Sequence, residues 1–309
     1  MEKPNLYEKE FIYCQKESLN NLIKSKENPF NITFNNFKKI LYQEHPYSFN
    51  CLGDEESIKL IKYNDILNEY KSLQKRKKYL LTNNAKYNFL NLKEIKSINY
   101  SKDVNKLNSK LSIKNNYVEH YTNSKQIIII IGSHTCPHNS KDSLALKILE
   151  SYLSYGMSSL LFKVFRENNG LTYDSGVFYP SRKFKAPFLI YLSVSERNSI
   201  LTLNLLLSIW NDLLSKKIIE DELSLAKLKL RRSYLHYFRN CEDIIFRKVR
   251  LLSLGMDPFH DEKSKYLLEP ITPEDILTVT NKYLNHPCIS VSGSKKVCNY
   301  LKEIWKKTY

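Results

Sequence analysis

The spacing of apolar positions changes along the chain, and each change marks an element. From 8 to 26, Phe11, Leu19 and Leu22 recur at helical spacing among charged neighbours, which predicts a helix, and a second helix is predicted over 33–43. Ile127 to Ile131 is an unbroken apolar run of strand length, so 126–132 reads as a buried strand. Leu144, Ala145, Ile148, Leu149, Tyr152 and Leu153 then form one stripe of an amphipathic helix over 141–153. A helix over 158–168 and a strand over 171–179 follow, with a partner strand over 187–195 across the polar segment 181–185. Helices are predicted near 197–215, 220–238 and 242–254. Thr272 as N-cap, Pro273 at the first helical position and Asp275 in the first turn announce another. A strand at 288–292 and a terminal helix complete the series.

From 126 onward the order β-α-α-β-β-α-α-α-β-α predicts an α+β fold, an antiparallel-rich mixed sheet of about four strands with helices banked on one face. Residues 75–78 are a basic run at a helix end, read as solvated. From 83 to 124 the chain is rich in Asn, Ser and Lys, and 101–125 reads as a connector between two units.

Composition alters this picture little. At 309 residues the chain has room for two modest domains, and 42% hydrophobic residues suffice for real cores. No stretch approaches the roughly 20 apolar residues of a membrane helix. The 48 Lys and Arg exceed the 32 Asp and Glu, for a net charge of +16. Tyr, Asn, Lys and Ile are abundant too, which fits a coding bias better than a basic partner. No aromatic-basic motif supports a nucleic-acid role. The 6 cysteines lack any paired spacing, so neither a zinc knuckle nor a disulfide framework is signalled. The N-terminus has no apolar signal core and is acidic early for a transit peptide.

Candidate chemistry centres on Arg166-Glu167-Asn168-Asn169-Gly170-Leu171-Thr172-Tyr173. Arg166 closes a helix, Asn169-Gly170 punctuates, and Tyr173 sits early on a strand. One turn thus aims a permanent cation and a phenol donor, a pair suited to gripping a polarised carbonyl. Taken singly, Arg166 is a favourable cation at a helix C-terminus and Tyr173 a half-buried strand aromatic. Glu10 and Glu17 stand two helical turns apart, so both carboxylates project from nearly one face, the usual arrangement of a solvated surface. Asn116-Tyr117-Val118-Glu119-His120 approaches a zinc motif but offers Asn where a ligand is needed. His134, Cys136 and His138 alternate along a loop after a buried strand, too far apart on a straight strand to share one metal.

Gly156-Met157-Ser158-Ser159-Leu160-Leu161-Phe162, then Arg166, then Gly170-Leu171-Thr172-Tyr173 resembles the second-half signature of the insulinase/pitrilysin metallopeptidases, which include the organellar processing peptidases. His45-Pro46-Tyr47-Ser48 and Leu52-Gly53-Asp54-Glu55-Glu56-Ser57-Ile58 are similar to that family's first half, with Ser48 in place of the usual glycine. Ser154-Tyr155 stands where the family tends to glycines, and Leu160 where it often has arginine. The resemblance covers about 5–72 and 126–309.

It implies a processing-peptidase-like αβ sandwich: 1–100 as the end of a first half-domain, 101–125 as connector and 126–309 as a complete second half-domain. It further implies that Arg166 and Tyr173 contact the substrate backbone or its tetrahedral intermediate. Glu17 becomes a zinc ligand and Glu10 its support. The family's His-x-x-Glu-His, which supplies the other zinc ligands and the general base, would lie upstream of Glu17, where this chain has too few residues to contain it. The chain alone is therefore expected not to hydrolyse peptides. The implied partners are a peptide or unfolded polypeptide and another peptidase subunit. The other reading is a non-catalytic partner subunit or pseudopeptidase that binds peptides uncut. A mitochondrial or plastid location follows from the resemblance alone.

Overall fold

The computed structural model describes residues 6–76, 116–236 and 240–309. Of the expected connector, 101–115 falls outside them, as do Lys77 and Lys78 of the basic run; Lys75 is the last residue of a helix.

The first half is helical. Helix α1 spans Glu8–Glu27 and α2 spans Pro29–Tyr42, followed by α3 (Glu55–Leu60) and α4 (Tyr63–Lys75). Helix α2 begins earlier than the spacing predicts because Asn28 accepts a hydrogen bond from the Phe30 N–H at 2.9 Å and Pro29 takes the first helical position.

A mixed sheet organises the rest. Its strands are β1 (Tyr117–Tyr121), β2 (Gln126–His134), β3 (Thr172–Phe178), β4 (Pro187–Ser195) and β5 (Cys288–Gly293), in spatial order β1-β5-β2-β4-β3. Only β1 with β5 is parallel; the other pairings are antiparallel. The helices are α5 (Asp142–Ser154), a π-helical turn at Phe162–Glu167, α6 (Ser199–Ser215), α7 (Glu220–His236), α8 (Cys241–Ser253), α9 (His260–Leu268), α10 (Pro273–Tyr283) and α11 (Lys295–Thr308). The α+β class is as expected.

Strand β1 makes the sheet five-stranded rather than about four, and it lies within the stretch read as a polar connector. Polar residues in and beside it have distant partners: Glu119 receives the Lys302 ammonium at 3.1 Å, as well as the nearby Tyr121 hydroxyl at 2.8 Å, while the side chain of Asn116, just before the strand, accepts from the Trp305 indole at 3.2 Å. Helices α3, α4 and α9 are likewise not announced by the periodicity.

Ile127, Ile129 and Ile131 face the principal core with Phe188, Ile190, Leu192, Ile289 and Val291, under α5, α6, α7, α10 and α11. Ile128 and Ile130 face the opposite way, into a second core with Leu189, Cys288 and the α2 residues Phe37, Leu41 and Tyr42. The helix bank thus lies on one face, and α2 from the first half covers part of the other. Hydrogen bonds fix this cover. The Ser290 hydroxyl donates to Thr33 O at 2.9 Å, and the Tyr42 hydroxyl donates to Lys185 O at 2.9 Å.

Candidate functional site

The turn that carries Arg166 and Tyr173 is built in tight steps. Gly156 has φ +75°, outside the range open to most side chains, and lets the chain reverse after α5. The helix expected over 158–168 becomes a short helical start and then a π turn, in which the Asn168 N–H donates to Lys163 O at 2.9 Å, five residues back. Gly170 takes φ +58°, the left-handed conformation expected of it, and its N–H donates to Arg166 O at 3.1 Å. The Leu171 N–H closes the turn on Phe165 O at 2.7 Å, and the Phe165 ring is fully buried beneath.

Substituting Gly170 with alanine meets no steric neighbour within 4 Å, so only the backbone term acts. It should cost about 1–2 kcal/mol. Urea unfolding would measure this, and an unchanged midpoint would remove the left-handed requirement.

Arg166 is exposed and leans on the Phe162 ring, 5.3 Å from its centroid. Among the described residues its guanidinium has no ion-pair partner. For Tyr173 the structure describes the backbone alone. It sits where the β3–β4 register slips: Thr172 pairs with Val194 and Asp174 with Ser193, leaving Tyr173 without an opposite number. Such a bulge bends the strand and commonly re-aims residues next to binding sites. Strand β3 is at the sheet's edge, with no strand on its outer side among the described residues. Beside it a cavity of about 250 Å³ is lined by Met157, Ser159, Leu161, Phe162 and Ser175, among others. Sequence reasoning missed this cavity, because its walls come from a turn and a strand that meet only in the fold.

The expected zinc residues are not brought into a site. Glu10 and Glu17 are both exposed on α1. Zinc takes at least three protein ligands in a catalytic site, and no three His, Cys, Asp or Glu side chains converge among the described residues. The described residues alone therefore do not make a zinc centre. His45 is buried; its Nδ1 accepts from the Tyr47 N–H at 3.0 Å, and burial lowers its pKa.

His134, Cys136 and His138 each turn to a different neighbour. His134 Nε2 meets Leu41 O, Cys136 Sγ lies 3.8 Å from the Tyr179 hydroxyl, and His138 Nε2 lies 3.3 Å from Ser181 Oγ. Burial is the chief cause that holds His134 down to about 4 and His138 to about 3, so both rings are neutral.

The sequence pattern of a family described as the peptidase M16 inactive domain matches residues 69–230. A peptidase M16 inactive domain from Pseudomonas fluorescens superposes with a TM-score of 0.76 at 19% identity, over 95% of this chain and 72% of that one. A protease from Helicobacter pylori gives 0.76 at 16%, over 94% and 73%. A chain of complex III2 from Candida albicans, bound to Inz-5, gives 0.68 at 13%, over 93% and 74%. At such identities the likeness is one of fold. No curated protein matches the sequence.

Proposed function

The chain belongs to the family described as the peptidase M16 inactive domain, and on that footing we propose that it is a peptidase-like protein that holds extended peptides without cutting them itself. The observation that carries this reading is the open outer side of β3, headed by the Arg166 turn and the bulge at Tyr173. An edge strand offers unpaired backbone donors and acceptors on which an extended peptide can add as a further strand. Arg166 would grip a peptide carbonyl or carboxylate, and Tyr173 would donate a hydrogen bond to the same backbone.

In this reading residues 1–100 end one half-domain and 126–309 form the peptide-holding half, with β1 from the linking stretch 101–125 added to its sheet. Where a complete assembly of this kind hydrolyses or processes peptides, residues beyond the described ones would have to complete its metal-ligand set. A role beside another subunit draws support from the likeness to a chain of complex III2.

Fluorescence anisotropy with a labelled, unstructured peptide tests the reading. Saturable binding is expected, with Arg166→Ala weakening it about tenfold, the scale of a charge-assisted hydrogen bond. Tyr173→Phe should weaken it less. A copy of the peptide N-methylated at alternate residues should lose affinity, since strand addition depends on its amides. Equal binding of the N-methylated peptide, or no saturable binding at all, would rule out strand addition at this edge.

A further inference from the structure

On the helix side of the sheet a second cavity, of about 230 Å³, opens among α5, α7, α8 and the chain leaving β3. It is smaller than the ~300–1,000 Å³ of sites for drug-sized ligands, and its walls are dominated by cations and hydroxyls: Lys147, Tyr155, Ser181, Ser233, Arg247 and Arg250. Two of the cations already hold carboxylates. Lys147 Nζ donates to Glu150 Oε2 at 2.7 Å and to Tyr179 O at 2.6 Å, and its side chain is 15% exposed. Arg247 Nη2 donates to Asp261 Oδ1 at 2.8 Å, and the Asp261 side chain is 4% exposed. Arg250 is exposed on the rim and has no carboxylate partner among the described residues. The group of Lys147, Arg247 and Arg250 against Glu150 and Asp261 therefore carries one uncompensated positive charge.

Ser181 adds a directed donor. Its Oγ lies 3.3 Å from Nε2 of His138, which is 5% exposed and whose Nδ1 has no hydrogen-bond partner. A buried ring nitrogen is better tolerated as a bare lone pair than as an orphaned N–H. The proton therefore resides on Nε2 and is donated to Ser181 Oγ, which leaves the serine hydroxyl proton to turn toward the cavity. The Lys147–Glu150 and Arg247–Asp261 pairs keep the wall polar and fixed, and Arg250 supplies the planar fork that suits phosphate and carboxylate oxygens.

We infer that this cavity binds a small ligand through an oxyanion, a phosphate or a carboxylate, held by Arg250 and the Ser181 hydroxyl. Its lining does not include Arg166 or Tyr173, and the inference does not depend on peptide binding there.

Titration calorimetry on the full chain, at ionic strength held constant with chloride, provides the test, with inorganic phosphate and acetate as separate probes. One saturable site is expected for at least one probe; tighter phosphate binding marks a phosphate-bearing ligand, and tighter acetate binding a carboxylate. Arg250→Ala should raise Kd at least tenfold, Arg250→Lys should recover part of the loss, and Ser181→Ala should raise Kd about threefold, all with native circular dichroism. Absence of saturable binding by either anion, or binding unchanged in both Arg250→Ala and Ser181→Ala, overturns the assignment.

Discussion

Phe37→Ala should lower the unfolding free energy by about 3–5 kcal/mol, the range for truncating a fully buried aromatic ring. Phe37 has no exposed surface and, with Leu41 and Tyr42, fills the second core against Ile128, Ile130, Leu189 and Cys288. The void cannot close easily. Helix α2 is pinned through its backbone by the Ser290 hydroxyl on Thr33 O and through a side chain by the Tyr42 hydroxyl on Lys185 O, so it is not free to settle into the gap. Urea unfolding followed by circular dichroism measures the change, and an unaltered slope would mean that the loss is one of stability alone. A cost below about 1 kcal/mol would mean that α2 does not cover the sheet in solution. A fragment that begins at residue 116 should lose the same cover and expose the Ile128 and Ile130 side of the sheet.

Trp210→Ala should cost a similar ~3–5 kcal/mol, for a different balance of reasons. The indole on α6 is fully buried in the principal core, and its Nε1–H donates to Leu284 O at 3.1 Å, at the end of α10. A neighbouring bond, the Thr280 hydroxyl on Leu213 O at 2.8 Å, ties the same two helices. Trp210→Phe separates the terms. It restores most of the packing but leaves a buried carbonyl without its donor, at about 1–3 kcal/mol. Thermal and urea unfolding of both variants should rank them wild type, Phe, Ala. Equal stability of Trp210→Phe and wild type would show that the Leu284 carbonyl finds another donor.

The parts of the fold that were legible in the sequence are those whose cause is local. Thr272-Pro273-Asp275 announces α10 because the Thr272 hydroxyl accepts the Asp275 N–H at 3.2 Å and the Asp275 carboxylate accepts the Thr272 N–H at 2.9 Å, all within one turn. Gly170 is legible for the same reason, since a left-handed residue after a helical turn is a local demand. The stripe on 141–153 likewise reports α5 directly.

The misses have distant causes. Strand β1 looks like a connector because the cation on Glu119 Oε1 is Lys302, 183 residues away, and the partner of the adjoining Asn116 is Trp305, 189 away; neither is visible in a local window. The cover by α2 did have a signal. Five consecutive isoleucines from Ile127 cannot alternate between core and solvent, so a run of this kind requires apolar neighbours on both faces of the sheet.

At the candidate site, the turn geometry was readable and the ligand set was not. Glu10 and Glu17 do fall on one helical face, but a shared face does not supply the other donors a metal needs. The open edge of β3 and the bulge at Tyr173 depend on the spatial order of strands, which periodicity does not encode.

The place of β5 in that order has a consequence for synthesis. The strand lies between β1 and β2 although it is the last of the five in sequence, at residues 288–293. A growing chain can pair β2, β3 and β4 early, but it must then wait, with one long flank of β2 bare and β1 unattached, until this last piece leaves the ribosome. Long-range closure of this kind slows folding and prolongs the exposure of sticky surface. Premature termination anywhere before 288 would therefore remove the sheet's interior and not a dispensable tail, and the released chain should be a client of chaperones and proteases.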